Sequence, residues 1–451
     1  MANSQALASS MSWAKNTANR GVTYLVMAQI AVLCISTVAF AVLARTLGPS
    51  SFGTFAGVVF VFTVSSLLTD LSPQAFLLVR GVSSSNYAGA QRMALISLGS
   101  SIVLMTALIA IYGSLDRDAD YDLMTYILLV VGLVSQFAMQ APRALLVVGH
   151  KYAALTGSDV LGTLMASIAA VTMAHFGAMG LHVLTLQLGL TMALRYILVR
   201  SGVFVFKLRP VPVDAGGAVS LGEGIRFGLT VIPLNIGSYM SRSLDSGLMP
   251  LLLPSSTAGV YARSYQLVIV PVTQAQLAIG PWVLNRLGAA ARRSSNPREP
   301  LFTKAWLALT SVSTAGALFI SVFSIPIAAI IFGPGWPNAP LMLACMAATL
   351  PSLACNTYFA WATQIFPRRR ASFAHLAVVL LAPISALSGA VIGGVNWALI
   401  GLVFVGGLMQ PLGLLLVHKK VLPVAPSKFV LVVSLQWSVP AILFCIELTR
   451  R

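Results

Sequence analysis

Apolar residues run along the chain in thirteen long blocks: 22–44, 52–79, 91–113, 123–148, 152–176, 179–202, 224–252, 257–284, 303–332, 339–366, 372–394, 397–417 and 428–448. Short polar gaps separate them. An α-helix needs about 20 apolar residues to cross a bilayer, and each block approaches or exceeds that length. Continuous apolarity over such distances predicts helices rather than half-buried strands. In lipid the backbone must satisfy its own hydrogen bonds, and a helix does so within one segment. The pattern therefore predicts an all-α polytopic membrane protein of roughly a dozen spans.

The gaps carry a second pattern. Lys15/Arg20, Arg80/Arg92, Arg143/Lys151, Arg200/Lys207/Arg209, Arg286 through Lys304, Arg368-Arg369-Arg370 and Lys419/Lys420/Lys428 occupy every other gap. The alternate gaps hold almost no Lys or Arg, and one carries Asp116, Asp118, Asp120 and Asp122. This alternation is the positive-inside signature and places the N-terminus in the cytoplasm. It supports twelve crossings. The thirteenth block either spans, leaving Arg450-Arg451 outside, or lies re-entrant or peripheral. The first block is too long for a signal-peptide core, so it is expected to be a retained span.

A polar linker with Pro210, Pro212, Gly216 and Gly217 divides the chain near its middle. The expected organisation is an N-terminal six-helix lobe (1–207), a cytoplasmic linker (208–223), a second six-helix lobe (224–420) and an extra C-terminal hydrophobic segment (421–451). Pro49-Ser50-Ser51-Phe52-Gly53-Thr54-Phe55-Ala56 resembles Pro254-Ser255-Ser256-Thr257-Ala258-Gly259-Val260-Tyr261-Ala262, with one residue inserted. Both stretches sit at the first turn of their half. Two six-helix repeats share one orientation, so a pseudo-two-fold axis along the membrane normal is expected, with a binding site between the lobes near the midplane. Prolines inside many blocks, among them Pro73, Pro142, Pro233, Pro271, Pro351, Pro383 and Pro411, favour helices that bend during transport.

Composition narrows the classes. Charged residues are 9% and hydrophobic residues 57%, with a mean hydropathy of +0.88. Soluble domains carry about 25% charged residues, so this inventory cannot cover a water-exposed surface. The net charge of +17 is distributed among loop clusters and does not indicate nucleic acid. Cys34, Cys345, Cys355 and Cys445 all lie in apolar blocks without metal-ligand spacing and read as small core residues. The chain contains no Gly-rich phosphate loop ending in Gly-Lys-Ser/Thr, no HExxH and no Gly-x-Ser-x-Gly. The Asp116–Asp122 cluster lacks the glycine and terminal glutamate of a calcium loop and reads as a solvated acidic loop. No catalytic residue, metal site or cofactor is expected. Uphill movement would then draw on the substrate's own gradient or on H+ or Na+ coupling.

Charge inside the blocks is the informative remainder. A charged side chain near the bilayer centre costs at least about 2.5–3.5 kcal/mol, so it faces protein or water and commonly marks function. Arg242 lies near the middle of the seventh block, with Asp245 at i+3 on the same helical face. Arg263 begins the eighth block and Arg45 ends the first, both on the outer side. Asp70 lies in the cytoplasmic half of the second block, close to Pro73, and Asp159 about two turns into the fifth. Arginine suits phosphate because its planar guanidinium stays charged and can bond two oxygens at once. Carboxylates at depth suit cation coupling, since desolvation raises their pKa toward the working range. The bland alternatives are snorkelling for Arg45, helix bracing for Asp70 and Asp159, and a structural ion pair for Arg242 with Asp245. Trp282 near the inner side, and Trp336 and Trp397 near the outer, read as interfacial anchors rather than sugar platforms.

Leu43-Ala44-Arg45-Thr46-Leu47-Gly48-Pro49-Ser50-Ser51-Phe52-Gly53, continuing through Asp70-Leu71 to Val79-Arg80, resembles the first-to-second-helix motif of bacterial polysaccharide transport proteins. These are the O-antigen and exopolysaccharide flippases (Wzx-like) of the multidrug/oligosaccharidyl-lipid/polysaccharide (MOP) exporter superfamily. The resemblance resumes at Arg226-Phe227-Gly228, Ser241-Arg242-Ser243-Leu244-Asp245, Gly259-Val260-Tyr261 with Tyr265, and Phe332-Gly333-Pro334-Gly335-Trp336. It departs at Ser72, where the pattern usually has glycine, and in an apparent count of thirteen where members often have twelve or fourteen.

The resemblance implies translocation of an undecaprenyl-diphosphate-linked oligosaccharide from the cytoplasmic to the periplasmic leaflet of the bacterial inner membrane, by alternating access. Under it, Arg242, Arg263 and Arg45 would bind the sugar and diphosphate, while Asp245, Asp70 or Asp159 would bind the coupling cation. Implied partners are the lipid-linked oligosaccharide, membrane lipids, and the polymerase and glycosyltransferases of the same pathway. Rivals stay open: a cation-coupled multidrug antiporter of the same superfamily, a lipid-linked peptidoglycan precursor flippase that the mid-chain motifs resemble less, a membrane enzyme acting on lipid-linked sugars, and a non-transporting scaffold, against which intramembrane arginine argues. The antiporter would want acidic residues and aromatics around its cavity. The enzyme would want a large outer loop, and none here exceeds about ten residues by the positive-inside topology.

Overall fold

The computed structural model describes residues 2–115, 121–178, 180–211, 221–293, 300–365, 369–418, 429–430 and 433–434. Its helices are α1 (Ala2–Thr69), α2 (Pro73–Arg80), α3 (Ser84–Leu115), α4 (Leu123–Val148), α5 (Tyr152–His175), α6 (Gly180–Val205), α7 (Leu221–Leu248), α8 (Ser255–Arg293), α9 (Pro300–Val322), α10 (Ser324–Ile331), α11 (Ala339–Ala348), α12 (Leu350–Ile365), α13 (Arg369–Gly401) and α14 (Gln410–Val417). A π-helical stretch, Leu402–Met409, joins the last two. Among the described residues the only β pairing is an isolated bridge between Ser83 and Val211. The all-α membrane architecture follows. Among the described residues, eight helical stretches are long and apolar enough to cross a bilayer. Two of them, Thr23–Arg80 and Phe373–Val417, are 58 and 45 residues long, enough for more than one crossing each.

The breaks have local causes. The gap expected between the first two blocks is the non-helical residue Gly48, at φ 72° and ψ 170°, a conformation glycine adopts without a Cβ clash. The gap between 394 and 397 is a break at Gly393 and Gly394. Breaks also fall inside expected blocks, between α9 and α10, between α11 and α12 and, most widely, where α1 stops at Thr69 and α2 restarts at Pro73. Pro73 cannot donate to a preceding turn, and the amides freed there are taken by side chains. Leu71 N–H donates to Ser97 Oγ at 3.1 Å and Ser72 N–H to Asp70 Oδ1 at 2.8 Å. Ser72 itself is left-handed, at φ 54°. This accounts physically for the glycine of the resembling motif, because an L-residue there costs about 1–2 kcal/mol. Ser72→Gly is therefore expected to stabilise the protein by about 1 kcal/mol, read as a higher unfolding midpoint in detergent.

The chain forms two compact units. One comprises residues 1–39, 62–110 and 121–235; the other comprises 40–61, 111–120 and 236–451. In the first, α6 packs on α4 and α5, and α2 packs on α4. Its core includes Phe76, Leu77, Met93, Leu145, Leu146 and Val199. In the second, α11 and α12 pack against α8 and α9. Its core centres on Phe302, Trp306, Tyr358, Phe359 and Leu414. Phe429 stacks on Trp306 with centroids 5.0 Å apart, so the beginning of the thirteenth block joins this core. Residues 428, 431–432 and 435–448, and linker residues 212–220, lie outside the described residues.

The reading of cysteines as core residues holds for Cys345 and Cys355, which are buried, but not for Cys34, which is exposed on α1. Apolarity placed Cys34 in a span without specifying which face it occupies. Cys445 lies outside the described residues.

Candidate functional site

In the first unit, Asp70 occupies the α1–α2 break. Its Oδ1 accepts from the Ser72 amide and, at 3.2 Å, from Gln140 Nε2 on α4. Asp70 lines a cavity of about 370 Å³ with Gln74, Gln136, Gln140 and Arg143. Asp159 is arranged differently. Its Oδ2 lies 2.9 Å from Arg143 Nη2 and its Oδ1 3.7 Å from Arg195 Nε. Arg195 also donates to Thr163 Oγ1 at 2.8 Å. One carboxylate thus holds α4, α5 and α6 together through two guanidinium groups.

That geometry makes Asp159 a brace between helices. Removing one partner from this partly buried ion network leaves an uncompensated charge and costs about 1–3 kcal/mol, between the surface and the fully buried case. Asp159→Ala should therefore lower thermal stability by roughly that range, measured on the purified protein in detergent. Arg195 was not singled out from the sequence, although a mid-block arginine is the kind of signal that marked Arg242. Arg143 was assigned to a cytoplasmic gap. It lies within α4, and its guanidinium serves Asp159.

In the second unit, Asp245 is buried near the end of α7, and its Oδ2 accepts from Tyr261 Oη at 2.5 Å. It lines a cavity of about 60 Å³ with Tyr265, Thr349, Asn356 and Gln410. The π-helical stretch contributes Leu402 and Gly406 to the same wall. Tyr261 could not be found from local spacing, since it reaches Asp245 from the next helix. Arg242 lies in α7, three residues before Asp245. Its side chain lies outside the described residues, as do those of Trp282 and the acidic residues Asp116, Asp118 and Asp120. Asp122, the last of that cluster, caps α4. It accepts from the Thr125 amide at 2.9 Å and meets His182 Nε2 at 2.7 Å. The Thr125 amide bond holds its carboxyl below the usual carboxylate range.

Arg263 packs on one aromatic cluster, and Arg45 lies beside Gly333, in the turn between two of its rings. Phe40, Phe52, Phe332 and Trp336 meet edge-to-face or tilted, at centroid separations of 4.9–6.1 Å. The Arg263 guanidinium carbon lies 4.2 Å from the Phe52 centroid, 5.3 Å from Phe40 and 5.5 Å from Phe55. Such cation–π contacts are strongest when desolvated. Arg263 Nη1 also donates to Gln266 Oε1. Arg45 is exposed, donates from Nη2 to the Ile330 carbonyl at 2.5 Å and packs against Gly333. Among the described residues no carboxylate forms an ion pair with either arginine. Their positive charge is therefore available to an anionic ligand.

The reading of Trp336 as an interfacial anchor is corrected here. It is buried, and its indole N–H donates to the Ala44 carbonyl at 3.1 Å. Buried tryptophan needs such a partner, and the Gly333–Gly335 turn supplies the approach. Trp397 is 55% exposed, as an anchor requires.

Charged side chains lie within the apolar helices of this bundle, and solved structures share its fold. The chain is similar to the lipid II flippase MurJ in its inward closed conformation (TM-score 0.66, 13% identity, covering 94% of this chain and 92% of that one). It is also similar to a mutant of the Vibrio cholerae MATE transporter VcmN (TM-score 0.60, 11% identity, 91% and 98%). A third similar structure is a MOP superfamily transporter from Pyrococcus furiosus (TM-score 0.53, 14% identity, 89% and 95%). At these identities the likeness establishes the fold alone. No curated protein matches the sequence. Residues 42–340, more than half of the chain, match the family described as polysaccharide biosynthesis protein, and the chain belongs to that family.

Proposed function

We propose that this protein translocates an undecaprenyl-diphosphate-linked oligosaccharide from the cytoplasmic to the periplasmic leaflet, supplying O-antigen, capsule or exopolysaccharide synthesis. The observation that carries this reading is the pairing of a polysaccharide-biosynthesis family with a transporter fold. Arg263 on the aromatic cluster and Arg45 beside the Gly333 turn, neither with a carboxylate partner among the described residues, supply the chemistry for a diphosphate. Arg242 is assigned to the same role. The protein acts as a transporter and not as an enzyme, through alternating access of two six-helix lobes related by a pseudo-two-fold axis, with twelve crossings. It resides in the bacterial inner membrane with a cytoplasmic N-terminus, alongside the pathway's polymerase and glycosyltransferases.

Asp245 is the favoured residue for H+ or Na+ coupling. It is buried, and its one described side-chain partner is a neutral hydroxyl. Asp159 is neutralised by two arginines, and Asp70 faces a cavity too large for a single cation.

The likeness to a MATE transporter supports a second reading, a cation-coupled multidrug antiporter. It is weaker because the aromatic cluster that would receive a cationic drug already holds Arg263. Deleting the gene and analysing lipid-linked oligosaccharides tests the first reading. Completed oligosaccharide should accumulate on the cytoplasmic face with transferases intact. Failure of sugar addition or polymerisation would favour an enzyme, and drug sensitivity with normal glycan would favour the antiporter.

A further inference from the structure

The cavity beside Asp70 has no role in diphosphate binding or cation coupling, yet its wall is a set of planar polar groups. Gln74 lies on α2, Gln136 and Gln140 on α4, and Asp70 at the α1–α2 break. Gln140 donates to Asp70 Oδ1. Gln74 and Gln136 are half-buried, and no protein group hydrogen-bonds to their side chains among the described residues. Each carboxamide therefore keeps two donor hydrogens and an acceptor oxygen uncommitted. Asp70 Oδ2 likewise accepts from no protein donor among them. Met139, Ala75 and Leu78 add apolar surface beside these groups.

The charges present select the ligand. A phosphate would meet the Asp70 carboxylate, while the cationic group on the wall, Arg143, is already paired with Asp159. A bare cation would need oxygens converging at about 2.3–2.6 Å. A cavity of about 370 Å³ is the size of a small-molecule site instead. A neutral polyhydroxy molecule fits both requirements: each hydroxyl donates and accepts, matching carboxamides and a carboxylate, and its C–H faces match methionine and leucine.

We propose that this cavity is a saccharide-binding site, taking one neutral sugar unit through Gln74, Gln136, Gln140 and Asp70. The proposal rests on the flippase reading only for the identity of the physiological sugar. On that reading the site lies in the cytoplasmic half of the second apolar block and engages the glycan of the lipid-linked donor before translocation, whereas the arginines serve the diphosphate.

The test uses the full chain in lipid nanodiscs and saturation-transfer NMR with free glucose, galactose, mannose and N-acetylglucosamine as probes. At least one probe should receive saturation from the protein. Replacing Gln74 and Gln136 together by leucine should weaken its binding about tenfold or more. Ala75→Phe, which fills the cavity without removing a polar group, should do the same and guards against misfolding of the leucine pair. Absence of transfer to every probe, or equal binding by both variants, would overturn the proposal. The flippase reading fails by a separate result: normal lipid-linked oligosaccharide in the deletion strain would remove it while leaving a saccharide bound at Gln74 and Gln136 intact.

Discussion

Arg263→Ala will abolish polysaccharide export in a deletion strain while the protein remains folded and inserted, and Arg263→Lys will not restore it. The guanidinium carbon lies 4.2–5.5 Å from the centroids of Phe52, Phe40 and Phe55, and Nη1 donates to Gln266, while its other nitrogens donate to no protein acceptor among the described residues. Lysine cannot reproduce that arrangement, because an ammonium is a compact, strongly hydrated point charge without a planar fork. Hydrogen bonds to a charged group contribute about 1.5–3 kcal/mol each, so losing one bond to a phosphate should lower transport about 10–100-fold. Surface polysaccharide per cell, normalised to membrane-inserted protein, measures the effect. Wild-type export by Arg263→Ala would remove this arginine from the substrate path.

The second large effect is on stability, at the two copies of the internal repeat. Gly53 and Gly259 occupy corresponding places in the repeat, and the structure packs the two copies against each other. A Cβ at Gly53 would collide with the Ser255 carbonyl oxygen, and a Cβ at Gly259 with the Pro49 carbonyl oxygen. Each obstacle is backbone, which cannot rotate away as a side-chain tip can. Without a hydrophobic drive between helices in lipid, close approach through small residues is a main source of association. Gly53→Ala and Gly259→Ala should therefore each destabilise the protein by about 3 kcal/mol or more. Gly316→Ala is the control: nothing lies near its would-be Cβ, and alanine favours the helix by about 1 kcal/mol. Unfolding midpoints of the three variants in detergent should separate accordingly, and equal midpoints would refute the packing argument.

The spans were legible because lipid imposes one rule on every residue of a crossing helix. The turns at Gly48 and Gly393–Gly394 fell where the apolar blocks were interrupted. The break at Asp70–Ser72 was not, because it is stabilised by Ser97, 26 residues away in sequence. The site divided in the same way. Charge inside a span pointed to Arg45, Arg263, Asp70, Asp159 and Asp245 one residue at a time. Their partners come from other helices: Ile330 lies 285 residues from Arg45 and Tyr261 16 from Asp245. No local period encodes such pairings, so bracing stood for Asp159 only as an alternative without partners, and the burial of Trp336 was not anticipated. The repeat was visible, but its reciprocal glycine contacts were not, since similarity of two segments says nothing of whether they touch.

Reconstitution gives the most direct measurement. Purified protein is placed in sealed vesicles carrying a lipid-linked oligosaccharide, and the fraction protected from an added glycosidase is followed with time. With the wild-type protein, oligosaccharide initially protected in the inner leaflet should become cleavable, faster than in protein-free vesicles, and Arg263→Ala should reduce the rate to the protein-free level. A protected fraction that stays constant with wild-type protein, across both H+ and Na+ gradients, would contradict translocation of a lipid-linked glycan by this chain.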